Sequence, residues 1–414
     1  MMNFLNIPQI SFTAWPEMLA WPYLMLQGWL PYRDIAIAHN PLLLFDLVVF
    51  YKLFGIGIVQ LKIYTWLLIA VNAYLTFFVA SKYLNKKIGY VSILVYLLLC
   101  IVFQGNGLWF DLALAPFGLL LYFCIQERKY FWSGIVFALG FLTKQTFIWF
   151  LIPVAYIVLK DIKRLKIYLP FVYGVFSILI LFIGALYLFG IADDFYFWAI
   201  KFGILYLPNA AGQLQFPSIK EFGFAMLPFA AILVYPEIFP WVVAGSLGVY
   251  PRWELFHFQP ALPFLAITIS SLFANNKINL FKIITLILFI WHISIGIERV
   301  SGSNTRFYEP QVRSVVNEIK KRNSREIYVA NYWDNIYALT HTIPATKPLI
   351  PYIPWYIEYG DTKNIIMNNL KVKMPESIII GERDNNFPEF YDFVSRFYSC
   401  NIVTEKVELC DKNK

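Results

Sequence analysis

Two carboxylates, an arginine and a histidine lie in one short segment near the start of the chain, where their types can support acid–base chemistry. They are Glu17, Arg33, Asp34 and His39. A carboxylate can take a proton from a nucleophile, and Arg33 can pair with a phosphate or with Glu17. Asp34 can equally cap the turn that Pro31 begins, because Asp is a common turn residue. The segment therefore offers a candidate general base close in sequence to candidate anion-binding groups.

Four more ionisable residues lie beside long apolar runs further along the chain: Asp111, Lys144, Arg252 and His257. A charge at a membrane boundary is costly to desolvate unless it is paired or used. Lys144 has apolar neighbours and no acid close to it in sequence, which predicts that it binds an anion. Arg252 suits a phosphate because its planar fork makes bidentate contacts, although it can equally pair with Glu254. Asp111 suits a helix N-terminus on dipole grounds alone.

The composition predicts which kind of protein must position these residues. Hydrophobic residues make up 59% of the chain and charged residues 14%, whereas soluble domains contain about 25% charged residues. The net charge of +8 comes from short cation clusters between apolar runs. This is the positive-inside pattern of membrane-protein loops and not a nucleic-acid-binding stripe. We therefore expect an α-helical polytopic membrane protein.

The apolar runs and the cation clusters together predict a topology, since a spanning helix needs about 20 apolar residues. The apolar runs are 59–81, 88–104, 110–126, 131–143 with 145–160, 167–190, 221–236 with 238–250, 259–275 and 283–300. They predict about ten transmembrane helices. The cytoplasmic side then holds the cation clusters at 82–87, 128–129, 160–166 and 277–282. The outer side holds residues 1–58, 105–109, 191–220, 251–258 and the tail after 300. The candidate site residues lie in these ranges, apart from Asp111 and Lys144, which lie at the external ends of apolar runs.

Two segments of the predicted outer side have interfacial character. Leu42–Phe54 carries Asp46 and Lys52 and is too short to span, so it predicts a helix lying in the outer interface. Asp193 and Asp194 begin an aromatic-rich loop, where solvated acids in an interfacial belt are favoured over a metal site. No cofactor is indicated by the sequence, and a divalent metal stays an open alternative.

The character of the chain changes near residue 300, which divides it into a membrane domain (1–300) and a small soluble domain (301–414). Helical patterns occupy 311–321, 333–341, 361–370 and 388–398, and strand patterns occupy 326–330, 376–381 and 402–409. Alternating helices and strands predict a small extracytoplasmic α/β domain with a partly parallel sheet. Cys400 and Cys410 can form a disulfide if this domain faces an oxidising compartment, or stay reduced if it does not.

The first outer segment resembles the first external loop of GT-C glycosyltransferases. The resemblance rests on Glu17, an apolar stretch, Gly28, the turn Pro31-Tyr32-Arg33-Asp34, and Pro41. The superfamily includes protein O-mannosyltransferases and bacterial aminoarabinose transferases, which use sugars carried on polyprenyl phosphate. The chain departs from the pattern in having Pro16 where relatives commonly have Asp. It also shows no spanning helix before Glu17, so the expected first helix is missing, truncated or lost through a misassigned start.

The resemblance implies a role for each candidate residue. Glu17 stands at the position of the general base, while Asp34 and Asp111 are the further acidic residues of the active centre. Lys144 ends a segment similar to a Gly-x-x-Thr-Lys motif whose lysine faces the donor phosphate. The other residues implied in phosphate binding are Arg33, His39, Arg252 and His257. No metal ligand is implied.

The implied function is an inverting transfer of one sugar from a polyprenyl-phosphate monosaccharide to a lipid, glycan or protein acceptor at the outer face. The absence of an Asn-x-Ser/Thr sequon favours a prokaryotic cell membrane over the eukaryotic secretory pathway. Two rival interpretations stay open: a transporter or flippase of lipid-linked sugars, and a non-catalytic assembly subunit. A transporter would place its charges at mid-membrane on broken helices, whereas here they are predicted to collect at one face.

Overall fold

The computed structural model describes residues 12–160, 166–234, 236–272, 280–300, 307 and 310–413. The predicted cations near 163 and 277, and the predicted domain boundary itself, lie outside these ranges. The helices of the first part are α1 (Glu17–Leu26), α2 (Leu42–Phe54), α3 (Ile58–Tyr83), α4 (Lys86–Val102), α5 (Phe110–Gln126), α6 (Tyr130–Thr143), α7 (Leu151–Lys160), α8 (Leu169–Leu188), α9 (Ala192–Phe195), α10 (Ile219–Met226), α11 (Phe239–Ser246), α12 (Leu262–Leu272) and α13 (Leu280–Val300). The chain is therefore mostly helical, as its composition predicts.

Several apolar runs form tighter or wider helical turns in place of a continuous α-helix. The 3-10 segments are Gln145–Phe150, Leu207–Asn209, Leu227–Val234, Pro236–Ile238, Leu247–Val249 and Leu255–Ala261. Residues 191–220 were predicted to be an external loop, but they include α9 and a π-helical segment, Tyr196–Tyr206. Apolar and aromatic residues dominate this segment, and Trp198, Ala199 and Phe202 are buried in it. Its burial explains why it is helical: buried backbone must satisfy its own hydrogen bonds.

Four helical segments among the described residues are long and apolar enough to cross a membrane, judged by length and composition: Ile58–Tyr83, Lys166–Leu188, Leu255–Leu272 and Lys282–Val300. Shorter apolar helices occupy Phe110–Gln126, Tyr130–Thr143, Gln145–Lys160 and Phe239–Val249. The total of about ten spanning helices stays a prediction.

The helices pack into one apolar core around α4, α5 and α6. Helix α4 packs against α3, α12 and α13, while α6 packs against α5 and α8. The α6–α8 contact is close enough to require glycine on both helices. A Cβ atom at Gly134 would collide with the Phe171 carbonyl, and one at Gly174 with the Phe131 carbonyl. This tight core holds the ends of α5 and α6 in fixed positions next to the site described below.

The last part of the chain is an α/β unit with a five-stranded sheet. Its elements are α14 (Pro310–Arg322), β1 (Glu326–Ala330), α15 (Asn335–Thr340), β2 (Ile343–Pro344), α16 (Pro354–Ile357), α17 (Thr362–Lys373), β3 (Ser377–Ile380), α18 (Pro388–Phe397), β4 (Tyr398–Thr404) and β5 (Val407–Lys412). The strand order is β2-β1-β3-β5-β4. Strands β2, β1 and β3 run parallel, whereas β3–β5 and β5–β4 are antiparallel. The predicted partly parallel sheet is present.

The predicted single strand at 402–409 is wrong, because this stretch contains the turn of a hairpin. Strands β4 and β5 flank the polar pair Glu405 and Lys406. Cys400 lies directly opposite Cys410 in the register, and the two form a disulfide. The alternation of apolar residues continues through the turn, which is why the sequence pattern resembled one strand.

The α/β unit is hydrogen-bonded to the first loop of the chain. The Leu349 amide donates to the Asp34 carbonyl at 2.8 Å, and the Ala36 amide donates to the Leu349 carbonyl at 2.9 Å. Helix α15 packs against α1, and the rings of Tyr23 and His341 contact each other there. The first loop and α1 therefore form one junction with the α/β unit.

Candidate active site

A cavity of about 610 Å³ lies at this junction. Its polar and ionisable side chains include Glu17, His39, Lys144, Gln145, Arg252, Glu254 and His257. Its aromatic walls include Trp15, Trp21, Trp109, Trp149, Phe256, Trp355 and Tyr356. A mostly apolar cavity with a few convergent polar groups is the usual form of a ligand site. The cavity brings together residues from seven separate stretches of the chain, among them five of the predicted site residues.

Three predicted site residues form a buried cluster at the wall of this cavity. The Lys144 Nζ lies 2.6 Å from Asp111 Oδ2, and the His257 Nδ1 lies 3.0 Å from the same oxygen. Lys144 Nζ and His257 Nδ1 are 3.3 Å apart. Asp111 is fully buried and Lys144 is 4% exposed. Lys144 has no acid close to it in sequence, and the carboxylate that pairs with it comes from the distant helix α5.

The local structure explains how these three groups meet. Asp111 lies in the first turn of α5, where the helix dipole favours a negative charge. Lys144 directly follows the end of α6 in extended conformation, and His257 lies in the 3-10 segment Leu255–Ala261. Lys144 and His257 line the cavity, whereas Asp111 lies behind them. Asp111 is thus placed to orient the two basic groups and not to contact a ligand itself.

His39 lies close to this cluster as a neutral ring. Its ring centroid is 4.6 Å from that of Phe110 and 5.5 Å from that of Trp109. Burial, followed by the positive charge of Lys144, lowers the pKa of His39 to about 3. Its Nδ1 is 3.5 Å from the Gln145 Oε1, which is the long limit of a hydrogen bond. His39 can therefore offer a ligand a hydrogen bond but not a positive charge near neutral pH.

Arg252 and Glu254 lie beside each other in the cavity lining. The Arg252 Nε is 2.5 Å from the Glu254 Oε1, so the ion-pair alternative for Arg252 is realised. The guanidinium also lies over the Trp355 ring, 5.7 Å from its centroid. About a third of the Arg252 side chain is exposed. Its remaining N–H groups can still meet an anion that enters the cavity.

Glu17 is the first residue of α1 and lines the same cavity. The N-terminus of a helix carries partial positive charge, which favours the ionised carboxylate. Pro16 precedes it in helical conformation and without a side-chain cap. The geometry therefore gives the cavity one ionisable carboxylate on the side formed by α1, together with basic groups contributed by later segments.

Arg33 and Asp34 do not line the cavity. Arg33 pairs with Asp194 at 3.2 Å, and not with Glu17, and it also donates to the Gly190 carbonyl. The Asp34 carboxylate accepts a hydrogen bond from the Leu30 amide at 3.0 Å, across the predicted turn. It also lies 3.2 Å from the Lys347 Nζ. Both residues therefore stabilise the shape of the first loop and its contact with the rest of the chain.

Several cavity residues were missed by sequence reasoning. Gln145 directly follows Lys144, and its Nε2 donates to the Ala38 carbonyl at 2.6 Å, so its place beside the lysine was a usable signal. Trp355 and Tyr356 gave no signal, because they reach the cavity only through the docking of the α/β unit. Across the described ranges, one group of three potential metal ligands is compact enough for an ion, and its cysteines form the disulfide: Cys400, Glu408 and Cys410.

Comparisons with known proteins identify a matching family model and solved structures with a similar fold. A family model described as dolichyl-phosphate-mannose-protein mannosyltransferase matches residues 38–188. ArnT from Cupriavidus metallidurans superposes with a TM-score of 0.63 in the apo state and 0.61 bound to undecaprenyl phosphate. Each alignment has 11% sequence identity and covers 98% of this chain and 95% of that chain. No curated protein sequence matches the chain. The chain has the fold of ArnT, and its resemblance to the GT-C membrane glycosyltransferases is confirmed.

Proposed function

We propose that the protein is an integral-membrane glycosyltransferase that moves a sugar from a polyprenyl-phosphate monosaccharide to an acceptor at the outer membrane face. One observation carries the proposal: a single aromatic cavity holds the carboxylate of Glu17 together with the basic groups of Lys144, Arg252 and His257, while its second carboxylate, Glu254, pairs with Arg252. The matched ArnT structure with undecaprenyl phosphate supports a lipid-phosphate ligand for this fold. The lipid phosphate is the natural anion for the basic groups, and the aromatic walls suit the sugar and the prenyl chain.

The reaction that fits this arrangement is a single displacement at the anomeric carbon. Glu17 accepts the proton of the acceptor hydroxyl as its oxygen bonds to the anomeric carbon, and the bond from that carbon to the phosphate oxygen breaks. The configuration inverts because only one displacement occurs. The leaving polyprenyl phosphate keeps the electron pair and needs little protonation. Lys144 and Arg252 bind its oxygens by charge-assisted hydrogen bonds, and His257 adds a donor at Nε2 when its ring is protonated.

Asp111 has an indirect part in this proposal. It fixes Lys144 and His257 at 2.6 Å and 3.0 Å, so their donors are oriented before the phosphate arrives. A preorganised donor pays less entropy when the ligand binds. Arg33 and Asp34 are omitted from the proposed reacting groups, since both lie outside the cavity and in other contacts.

The membrane assay that tests the function offers a series of radiolabelled polyprenyl-phosphate sugars to membranes containing the protein. We expect label to move from one of these donors to an acceptor, with a parallel series in chelator testing for a divalent metal. Nucleotide sugars alone should give no transfer. Membranes with the Glu17→Gln variant provide the matched control. A transporter would instead move the intact lipid-linked sugar across the bilayer without breaking the sugar–phosphate bond.

We also propose that the membrane is a prokaryotic cell membrane and that the α/β unit lies on its outer side. The absence of an Asn-x-Ser/Thr sequon supports a prokaryotic membrane. The alternation forced by the cation clusters around about ten spanning helices supports the outer position of the α/β unit. A cytoplasm-active reporter fused after Lys414 should give no signal, while the same reporter fused after Arg128 should be active. A bright signal after Lys414 would contradict the topology.

Replacing Arg252 by Met is expected to weaken donor binding by about 1.5–3 kcal/mol, the usual contribution of a hydrogen bond to a charged group. The reason is that the guanidinium lies in the cavity wall, where it can bond to the phosphate bidentately. The measurement is the binding of undecaprenyl phosphate to detergent-solubilised protein. Arg33→Met is the matched control, because Arg33 pairs with Asp194 outside the cavity. Equal affinity in the Arg252 variant and the wild type would remove Arg252 from the site.

A further inference from the structure

Glu17 lines a second cavity in addition to the donor cavity. This outer groove has a volume of about 1030 Å³ and lies between the start of α1 and the α/β unit. The residues that line both cavities are Trp15, Glu17, Pro351 and Ile353. A molecule in the outer groove can therefore reach the same carboxylate as a donor in the inner cavity.

The outer groove is more polar than the donor cavity. Its polar and charged side chains include Gln311, Ser314, Asn331, Asp334, Glu382, Thr404, Glu405 and Lys406. These groups offer hydrogen-bond donors and acceptors along a path that ends at Glu17. A hydroxyl-rich molecule suits such a lining, whereas a prenyl chain does not.

Asp334 is the buried carboxyl group of this groove. It is 8% exposed and directly precedes α15, the helix that packs against α1. Its side chain does not cap α15. Among the residues that the structure describes, no Lys, Arg or His forms an ion pair with it. An ionised carboxylate buried in this way is costly, which favours the protonated form.

The charges around Asp334 favour the same form. Burial, and after it the negative charge of Glu17, raise the pKa of Asp334 to about 8. The titratable groups that face it are Glu17 on α1, Tyr328 on β1, Tyr337 on α15 and Tyr356 on α16. Burial raises the pKa of all three phenols, so they stay neutral. The charged groups further along the groove are Glu382, Glu405 and Lys406.

We propose that Asp334 binds the acceptor as a proton-carrying carboxylic acid and aligns its hydroxyl group with Glu17. The inference rests on the proposed glycosyltransferase function and extends it by assigning the acceptor to the outer groove. Protonated Asp334 donates a hydrogen bond to an acceptor oxygen and keeps its own proton throughout. Ionised Glu17 takes the proton of the attacking hydroxyl. The two carboxyl groups thus divide the roles of hydrogen-bond donor and base between them.

The first test needs no substrate. Infrared difference spectra of the full-length protein in detergent are recorded across a pH titration. We expect a protonated carboxyl band that disappears with a midpoint near pH 8 and is absent from Asp334→Asn. In Glu17→Gln the midpoint should move to lower pH, because the neighbouring negative charge is gone. The exposed Glu376→Gln variant, which lies outside both cavities, is the matched control and should keep the wild-type band. A spectrum without a carboxyl band titrating above neutral pH would overturn the proposal.

The second test uses the donor that supports transfer in the membrane assay. Wild-type transfer should fall as the pH rises through about 8, since Asp334 then loses its proton. Asp334→Asn keeps an N–H donor at every pH, so this fall should disappear. Asp334→Ala should raise the KM for the acceptor at least tenfold and leave the KM for the donor unchanged. An Asn variant with the wild-type alkaline fall would overturn the proposal. If no donor supports transfer, the glycosyltransferase function fails, while the infrared result still reports on Asp334.

Discussion

Glu17→Gln is expected to lower the rate of sugar transfer about 10²–10⁴-fold, the usual contribution of a general base. Glutamine keeps the size and much of the hydrogen bonding of the side chain, but it cannot accept the acceptor's proton. The protein should still fold, because Glu17 is the first residue of α1 and lines the cavity. The measurement is the initial rate of label transfer in membranes containing equal amounts of each variant.

Asp34→Asn is the variant that makes this prediction decisive. Asp34 is the other carboxylate of the first loop, yet it lies outside the cavity and contacts the Leu30 amide and Lys347. We expect it to transfer sugar at close to the wild-type rate, with some loss of stability. If Asp34→Asn abolished transfer and Glu17→Gln did not, Asp34 would be the base. If neither change affected transfer, the non-catalytic interpretation would be favoured.

Asp111→Asn is expected to lower the free energy of unfolding by about 3–5 kcal/mol, the usual cost of leaving one member of a buried ion pair uncompensated. Lys144 would then keep its charge in a site where it is 4% exposed and has lost its carboxylate. The measurement is denaturant unfolding of the detergent-solubilised protein. Donor binding should also weaken, because the carboxylate that orients Lys144 and His257 is gone.

Adding Lys144→Met to Asp111→Asn should recover most of the lost stability, since the double variant has no buried charge to compensate. Donor binding should not recover, because the phosphate has lost a cation. Lys82→Met is the matched control: Lys82 pairs with Glu127 at 2.9 Å, but both side chains are about a third exposed. Such pairs contribute about 0–1 kcal/mol. A double variant as unstable as Asp111→Asn alone would show that the pair is not the cause.

The sequence correctly predicted those helices and strands whose residue pattern lies within one short segment. Strand β1 at Glu326–Ala330 and helix α5 at Phe110–Gln126 have the bounds that their apolar patterns indicate. The same holds for α2, where an apolar run of thirteen residues ends at Gly55. Each signal lies within one segment, so it does not depend on the fold. The hairpin of β4 and β5 and the helical turns after Ile191 were missed, because their patterns resemble those of other structures.

The site was predictable in its residue types but not in its pairings. Lys144 could be recognised as a buried cation, whereas its partner Asp111 lies on another helix and follows only from packing. The same limit applies to Asp334, which reaches Glu17 because α15 packs against α1. The sequence alone can assign charged residues to one side of a membrane, but the distances between their side chains depend on tertiary contacts. That is why Arg33 and Asp34, which belong to the expected loop motif, have partners outside the cavity.

The hydrogen bonds between Leu349 and the first loop have a consequence for biosynthesis. The carbonyl of Asp34 and the amide of Ala36 bond to a residue that leaves the ribosome more than 300 positions later. Trp355 and Tyr356, which follow Leu349, close one wall of the donor cavity. Until they dock, the cavity lacks this wall. If the proposed function holds, we expect sugar transfer to begin only after the segment that contains Trp355 and Tyr356 has been synthesised and has docked.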